Sequence, residues 1–183
     1  MQRRLFIALT AAFAMPLPVA GQETAWDVLR DGGVVMFRHA RAPGTGDPAN
    51  FTLGDCATQR NLNDTGRAQS RQIGAAFAER GVTVGAVLHS RWCRSAETAQ
   101  LAFPDLAEPE PALDSFFSDR STEPQQTAEV ARIIRDWRGP GALVLVSHFV
   151  NVRALTGQTT SEGEGIVLRP TSSGFELAGR ITP

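Results

Sequence analysis

The stretch Val34-Val35-Met36-Phe37-Arg38-His39-Ala40-Arg41 joins an apolar run to a group of polar side chains. Four consecutive apolar residues after the pair Gly32-Gly33 predict a short, fully buried strand. The strand leads directly into Arg38 and His39. A neutral imidazole can attack a phosphoryl group, and a guanidinium can hold phosphate oxygens with two parallel hydrogen bonds. The pair therefore suggests phosphoryl chemistry, although an Arg-His dipeptide is a weak motif by itself.

Apolar segments elsewhere in the chain end in polar residues in the same way. Residues 82–88 predict a second buried strand, which leads to Ser90 and Arg94. Residues 142–146 predict another, which leads to His148. Two of the three histidines of the chain thus come immediately after separate strands.

The segments between these strands have the signals of helices. Apolar periodicity and capping residues predict helices at about residues 26–30, 65–80, 94–102, 124–137 and 149–155. A short third strand is predicted at residues 112–113, followed by Asp114, and a β-hairpin at residues 166–181 closes the chain. This alternation predicts a three-layer α/β/α sandwich with a mostly parallel central sheet. Because such sheets bind ligands at the carboxyl ends of their strands, the polar residues there are expected to meet.

Length and composition are those of an ordinary globular chain. The 183 residues are 42% hydrophobic and 20% charged, which suits one domain with one sizeable core. The formal net charge is −1. Without a basic excess, neither nucleic acid nor an anionic membrane surface is expected as the main partner.

The first 21 residues have the pattern of a secretory signal peptide. A positive start at Arg3-Arg4 precedes an apolar run, and Val19 and Gly21 fit the small-residue rule for cleavage. Cleavage after Ala20 is the alternative. The apolar run is short for a membrane anchor and is broken by two prolines. We therefore expect a secreted or periplasmic protein, with one domain over residues 22–183 and no stable membrane insertion after cleavage.

The two cysteines, Cys56 and Cys93, are a candidate disulfide. Export to an oxidising compartment would allow the bond, and a pair of free thiols is the alternative. No Cys-x-x-Cys or His-x-x-x-His spacing predicts a structural zinc site. Residues 42–56 contain three glycines and two prolines and predict a long surface loop directly after the Arg-His pair. Long ordered loops are often functional, so this loop and Phe116-Phe117 are expected to shape specificity.

The polar residues suggest distinct roles. His39 is the candidate nucleophile, because Arg38 raises the cost of charging the imidazole and keeps it neutral. Arg38, Arg94 and a protonated His148 at the start of a helix would form a three-cation cradle for a phosphoryl group. Arg91 competes with Arg94 for this role, but Arg94 falls in the first helical turn, near the strand end.

The remaining candidates contact the substrate or carry a proton. Ser90 and Arg60 are candidates for substrate binding, although a solvated charge is the alternative for Arg60. A leaving alkoxide needs a proton donor. Asp114 is the candidate because it follows the third strand, with Asp119 and Glu97 as alternatives.

Four segments together resemble the histidine phosphatase superfamily in their order and spacing. They are Phe37-Arg38-His39-Ala40, residues 62–66, residues 90–98 with Arg94, and residues 144–148. The resemblance covers nearly all of residues 33–157. It implies a phosphoglycerate mutase-like fold in which His39 becomes transiently phosphorylated. It also implies that Arg38, Arg94 and His148 hold the phosphoryl oxygens and that neither a metal nor a cofactor is required.

Two positions depart from the family's pattern. Alanine and arginine occupy residues 40–41, where the phosphoglycerate mutase branch typically has Gly-Glu. Phe149 follows His148, where the acid phosphatase and phytase branch has its proton-donating aspartate. The position that resembles the mutase glutamate falls at residues 114–115. Neither branch's acid therefore carries over directly, and Asp114 stays the candidate.

The sequence predicts a metal-independent phosphomonoester hydrolase acting through a phosphohistidine on His39. Its substrate would be a phosphorylated small molecule, saccharide or protein. A phospho-ligand binding protein on the same fold, with little or no activity, is the main alternative. A serine hydrolase using Ser90 or Ser147 is disfavoured because no Gly-x-Ser-x-Gly elbow is present. A mutase is disfavoured because no segment predicts a closed, water-excluding lid. The substrate and the oligomeric state are left open.

Overall fold

A computed structural model describes residues 24–183 of the chain. The signal peptide predicted at residues 1–21 lies outside the described residues. Within the described part, no helix is both long and apolar enough to span a membrane.

The strands of residues 24–183 form one six-stranded sheet in the order β3-β2-β4-β1-β5-β6. The strands are β1 (Val34–Arg38), β2 (Val84–His89), β3 (Ala107–Pro109), β4 (Ala142–Ser147), β5 (Gly165–Thr171) and β6 (Gly174–Ile181). The first four strands pair in parallel, and β5 and β6 add an antiparallel hairpin at the β1 edge. All four parallel strands therefore direct their carboxyl ends to the same edge of the sheet.

Helices cover both faces of the sheet. They are α1 (Ala25–Arg30), α2 (Asp64–Glu79), α3 (Cys93–Ala102), α4 (Glu123–Asp136) and α5 (Phe149–Thr156). Asn63 begins α2 by accepting a hydrogen bond from the backbone N–H of Gly66, and Gly157 ends α5 in the left-handed conformation. Pro124 lies in the first turn of α4, where its missing N–H costs no helical hydrogen bond.

Alternate residues of β1 supply two separate cores. Val35 and Phe37 pack with α1, α2 and α3 on one face, whereas Val34 and Met36 pack with α4 and α5 on the other. Burying each of these side chains contributes on the order of 1.5–3 kcal/mol to the free energy of unfolding. A strand buried on both faces explains the unbroken apolar run in the sequence. The predicted three-layer α/β/α architecture with a mostly parallel sheet is confirmed.

The third strand was predicted at the wrong place. It is β3, whose Ala107–Pro109 segment pairs with β2, and residues 112–113 belong to the 3₁₀ turn Pro111–Leu113. Pro111 has no N–H to give to a strand ladder, and the Glu110 side chain accepts from the backbone N–H of Ala112. Asp114 therefore follows a turn and not, as predicted, the end of a strand.

Candidate active site

A cavity of about 280 Å³ opens at the carboxyl ends of β1 and β4. The two strands are parallel neighbours, and their register places Arg38 opposite Ser147. The residues that directly follow the two strands are His39 and His148. Both therefore line the same cavity, with 5.5 Å between the centroids of the two imidazole rings. Strand register alone thus brings together two histidines that are 109 positions apart.

His39 is buried, with 2% of its surface exposed. Its Nδ1 lies 2.8 Å from the backbone carbonyl oxygen of Ala40. Because a carbonyl oxygen can only accept, Nδ1 carries the proton and the lone pair of the neutral ring is on Nε2. Burial, followed by the charge of Arg94, lowers the pKa of His39 to about 3. The imidazole is therefore neutral near pH 7, as predicted, but burial rather than Arg38 is the main cause.

His148 is buried between two serines and Arg94. Its Nδ1 accepts from Nη2 of Arg94 at 3.4 Å, so Nε2 carries the proton and donates to Oγ of Ser90 at 2.8 Å. Ser95 Oγ lies 3.4 Å from the same Nε2. Burial, and then the charge of Arg94, lower the pKa of His148 well below its ordinary value. The prediction of a protonated His148 is therefore wrong for this structure: the ring is a neutral hydrogen-bond donor.

Arg94 lies in the first turn of α3 and is 3% exposed. Its Nη1 and Nη2 donate to the two carboxylate oxygens of Asp47, at 2.7 and 3.2 Å. Nη1 also donates to the backbone carbonyl of Arg60 at 3.3 Å, whereas the buried Nε has no partner. The guanidinium thus lines the cavity as predicted. It binds the carboxylate of Asp47 in the bidentate geometry that also suits a phosphoryl group.

Arg38 and Arg60 complete a cationic wall. Nη1 of Arg38 donates to the carbonyl of Thr160 at 3.1 Å, and Nη2 lies 3.5 Å from Glu162. Arg60 donates through Nε to the carbonyl of Gly46 at 2.9 Å and lies 3.7 Å from the same glutamate. Both guanidinium groups line the cavity. Arg60 is therefore the third cation of the cradle, the role that was expected of His148.

The charges of this site do not cancel. Three arginines, at positions 38, 60 and 94, face two carboxylates, Asp47 and Glu162, and both histidines are neutral. Burial, and then the nearby charge of Arg94, lower the pKa of Arg60. An excess of buried positive charge around one cavity favours an anionic ligand.

Solved structures with this arrangement of strands and helices include phosphatases. The protein histidine phosphatase SixA complexed with tungstate matches 82% of this chain and 97% of its own chain, with a TM-score of 0.60 and 20% identity. A mycobacterial glucosyl-3-phosphoglycerate phosphatase matches 81% and 97%, with a TM-score of 0.57 and 15% identity. No protein-family model and no curated protein matches the sequence.

The chain has the phosphoglycerate mutase-like fold. A SixA protein from Agrobacterium tumefaciens has the same fold, with a TM-score of 0.58 over 83% of this chain and 99% of its own, at 17% identity.

Within this phosphoglycerate mutase-like fold, Asp114 does not reach the cavity. Its carboxylate pairs with Arg91 at 2.5 Å and accepts from the backbone N–H of Arg91 at 2.8 Å and from Ser90 Oγ at 3.3 Å. It lines a separate groove beside Trp92. Asp114 was predicted to follow a strand directly, but the 3₁₀ turn Pro111–Leu113 lies between β3 and Asp114. Its position is that of a support for Ser90, and through Ser90 for His148.

Ser90 likewise acts behind the cavity wall. It is fully buried, accepts from Nε2 of His148 and from the backbone N–H of Trp92, and donates to Asp114. It is not among the residues that line the cavity. The structure thus places Ser90 as a partner of a lining histidine rather than in contact with a ligand.

Sequence reasoning missed Asp47, Glu162 and Trp92. Asp47 is one of two acidic residues, with Asp55, in the loop of residues 42–56 that was expected to be functional, and this was the available signal. Nothing in the sequence links it to Arg94, 47 positions away. Glu162 precedes β5, and only the antiparallel pairing of β5 with β1 brings it to Arg38.

The loop over residues 42–56 is fastened to the start of α3. Cys56 and Cys93 are disulfide-bonded, and Phe51 stacks on Trp92 with 5.0 Å between ring centroids. The backbone N–H of Cys93 donates to Oε1 of Gln59 at 2.9 Å. These contacts hold the loop over the cavity, next to Arg94.

Apolar side chains form the outer wall of the cavity. Phe117, Phe149 and Val150 line it, and Phe117 is 57% exposed at its mouth. Phe116, in contrast, is buried, and the guanidinium of Arg120 lies over its ring. Of the two phenylalanines expected to shape specificity, only Phe117 faces the cavity.

Proposed function

We propose that this protein is a histidine phosphatase that hydrolyses phosphate monoesters through a phosphohistidine on His39. The observation that carries the proposal is the Nδ1–H···O=C bond of His39. It leaves a neutral imidazole with its lone pair on Nε2, in a cavity that three arginines also line. A nucleophile and an electrostatic clamp in one site are the parts that phosphoryl transfer requires.

The reaction has two steps. Nε2 of His39 attacks phosphorus, the bond from phosphorus to the ester oxygen breaks, and the leaving oxygen takes a proton. Water then attacks the phosphohistidine, loses a proton, and the phosphorus–nitrogen bond breaks with its electron pair returning to Nε2. Arg38, Arg60 and Arg94 offset the charge on the phosphoryl oxygens.

Two similar structures support the chemistry but point to different substrates. One is the protein histidine phosphatase SixA, solved with tungstate, a tetrahedral oxyanion like phosphate, and the other is a glucosyl-3-phosphoglycerate phosphatase. The fold therefore accommodates phosphoryl groups on proteins and on small molecules. In this chain the exposed Phe117 lines the cavity and is the side chain that a leaving group would contact.

Replacing the nucleophile tests the proposal. We expect His39→Ala to lower turnover of p-nitrophenyl phosphate by at least about 10³-fold, because it removes the group that forms the covalent intermediate. Rapid quenching in base, followed by mass spectrometry, is expected to find the phosphoryl group on His39 in the wild type. A chelator is expected to leave the activity unchanged. Retained activity in a folded His39→Ala variant would falsify the nucleophile assignment.

A phospho-ligand binding protein is a second candidate function. It is favoured by one observation: the carboxylate of Asp47 occupies both Nη groups of Arg94, and Asp114 is engaged elsewhere. Inorganic phosphate that raises the melting temperature, together with no turnover of any ester by the wild type, would support this function over hydrolysis.

We also propose export across a membrane, on the strength of the sequence pattern of residues 1–21. Mass spectrometry of the protein from its native cells is expected to find a first residue of Gln22, or Gly21 if cleavage follows Ala20. A chain that retains Met1 or begins elsewhere in the apolar run would contradict the proposal.

A further inference from the structure

Asp47 is the one carboxylic acid among the described residues that line the cavity of His39. Asp114 lines a different groove, and Glu162 lies behind Arg38 and Arg60. The side chain of Asp47 is 16% exposed, which leaves it in contact with the cavity but shields it from bulk water. Among the described residues, Asp47 is therefore the carboxyl group best placed to exchange a proton with a ligand in this cavity.

Four donors hold the Asp47 carboxylate. Two are the Nη groups of Arg94, and the others are the backbone N–H of Arg60 at 3.1 Å and Nε1 of Trp92 at 3.0 Å. Burial alone would raise the pKa of Asp47, but the hydrogen bonds and charge of Arg94, together with the hydrogen bonds from Arg60 and Trp92, outweigh it and lower the pKa. Arg94 makes the largest contribution among the groups that keep the carboxylate ionised.

A phosphoryl group in the cavity competes with Asp47 for Arg94. Both anions use the same pair of N–H groups, and a phosphoryl dianion carries the greater charge. When Arg94 turns to the phosphoryl oxygens, Asp47 loses its two charge-assisted bonds and gains an anionic neighbour. Both changes favour the protonated carboxyl, as burial already does.

We propose that Asp47 is a catalytic residue that carries the proton in both steps of the reaction. This inference rests on the proposed hydrolysis and adds the acid–base group that His39 and the arginines do not supply. Substrate binding frees the carboxylate from Arg94, and it takes up a proton from solvent at the cavity mouth. The protonated carboxyl gives that proton to the ester oxygen as the bond to phosphorus breaks. In the second step the carboxylate accepts a proton from the attacking water, which regenerates the acid.

The loop contacts keep Asp47 in place while its partner changes. Trp92 Nε1 and the backbone N–H of Arg60 are neutral donors outside the exchange, and they can hold the carboxyl after Arg94 has turned. Trp92 is in turn stacked on Phe51, and the disulfide fastens the loop at Cys93, the neighbour of Arg94. The carboxyl therefore stays beside the guanidinium that binds the phosphoryl group.

A leaving-group series tests this role in the Asp47→Asn variant. The quantity to measure is kcat/KM for p-nitrophenyl, phenyl and ethyl phosphate, because it reports the step that phosphorylates His39. A p-nitrophenolate leaves without a proton, whereas an ethoxide needs one. We expect a loss of less than about 10-fold for p-nitrophenyl phosphate, rising to about 10²–10⁴-fold for ethyl phosphate.

Asp114→Asn is the matched control. Asp114 is also a shielded aspartate paired with an arginine, but its carboxylate lies outside the cavity. Through Ser90 it supports His148, so its loss is expected to lower kcat/KM by the same factor for all three esters. The dependence on the leaving group, rather than the size of the loss, separates a proton carrier from a structural aspartate.

Three outcomes would overturn the inference. An equal loss for every ester in Asp47→Asn would make Asp47 a structural partner of Arg94, and a uniform gain would make it only a competitor of phosphate. A wild type inactive on all three esters would overturn the proposed function and this role together. If Asp47→Asn does not fold, Trp92→Phe removes one donor to the carboxyl, and a smaller loss with the same leaving-group dependence is expected.

Discussion

The protonation of His39 is decided by its immediate surroundings in the folded chain. The ring is desolvated, lies close to Arg94 and donates from Nδ1 to the carbonyl of Ala40. Desolvation and positive neighbours both oppose an imidazolium, so the pKa falls far below the 6.5 of an exposed histidine. The same interactions that keep the imidazole neutral near pH 7, with its lone pair on Nε2, therefore oppose folding at low pH.

Acid sensitivity is the consequence at the residue scale. Above pH 6.5, His39 is neutral in both the folded and unfolded states and adds nothing to the pH dependence. Between pH 6.5 and about 3 only the unfolded chain takes up the proton, so the free energy of unfolding falls as the pH falls. We expect a contribution of about 1.4 kcal/mol per pH unit from this group.

Urea unfolding of wild type and His39→Gln at pH 7, 6, 5 and 4 checks the expectation. Glutamine keeps a polar side chain of similar size but does not titrate, so the slope of stability against pH is expected to decrease by about one proton. Identical slopes in the two proteins would show that His39 is not the group responsible.

At the scale of elements, the site depends on how closely the start of α2 approaches the loop after β1. Gly66 packs against the backbone of Arg41, and a Cβ at this position would overlap the carbonyl oxygen of that residue. The backbone N–H of Asn63 donates to the same carbonyl at 3.4 Å. The small residue is therefore required by the approach of two backbones next to His39, not by its conformational freedom.

Gly66→Ala is expected to lower the free energy of unfolding by more than about 2 kcal/mol, because the added methyl group forces α2 away from β1. It is also expected to lower phosphatase activity, since the loop after His39 must move. Thr65→Ala, on the exposed side of the same helical turn, is the control and is expected to change stability by less than about 0.5 kcal/mol. Chemical denaturation measures both, and equal stabilities would contradict the packing argument.

At the scale of the whole molecule, the disulfide is the covalent tie between the loop of residues 42–56 and the helix that carries Arg94. It joins cysteines 37 positions apart. In the chain-entropy model, a closed loop of this length stabilises the folded state by about 3–4 kcal/mol. The disulfide also restrains the loop of residues 42–56, whose Gly46 and Asp47 line the cavity.

The Cys56→Ser/Cys93→Ser double variant is expected to unfold about 3–4 kcal/mol more easily than the wild type. It is also expected to lose activity, because the loop that carries Asp47 is then fastened only by noncovalent contacts. A reductant is expected to bring the wild type to the level of the double variant and to leave the double variant unchanged. If wild type and double variant have the same denaturation midpoint and the same kcat/KM, the tie has neither role.

The fold and the meeting of His39 with His148 in one cavity could be predicted from the sequence because both depend on local patterns. The apolar run before Arg38 and His39 requires a strand buried on both faces, and helical periodicity between such runs requires a covered parallel sheet. The order of the strands then sends Arg38, His39, Arg94 and His148 to one edge. These statements need only the chain order and the geometry of strands and helices.

The protonation of His148, the placement of Asp114 and the partner of Arg94 were decided by the tertiary structure alone. His148 is neutral because of burial and a guanidinium 54 positions away, and Asp114 is displaced by a 3₁₀ turn that the proline at 111 favours over a strand. Asp47 meets Arg94 only after the loop of residues 42–56 folds back onto α3. A sequence pattern specifies which residues share an element. The electrostatic environment of a side chain depends instead on the distances to groups far along the chain, and these distances exist only in the folded molecule.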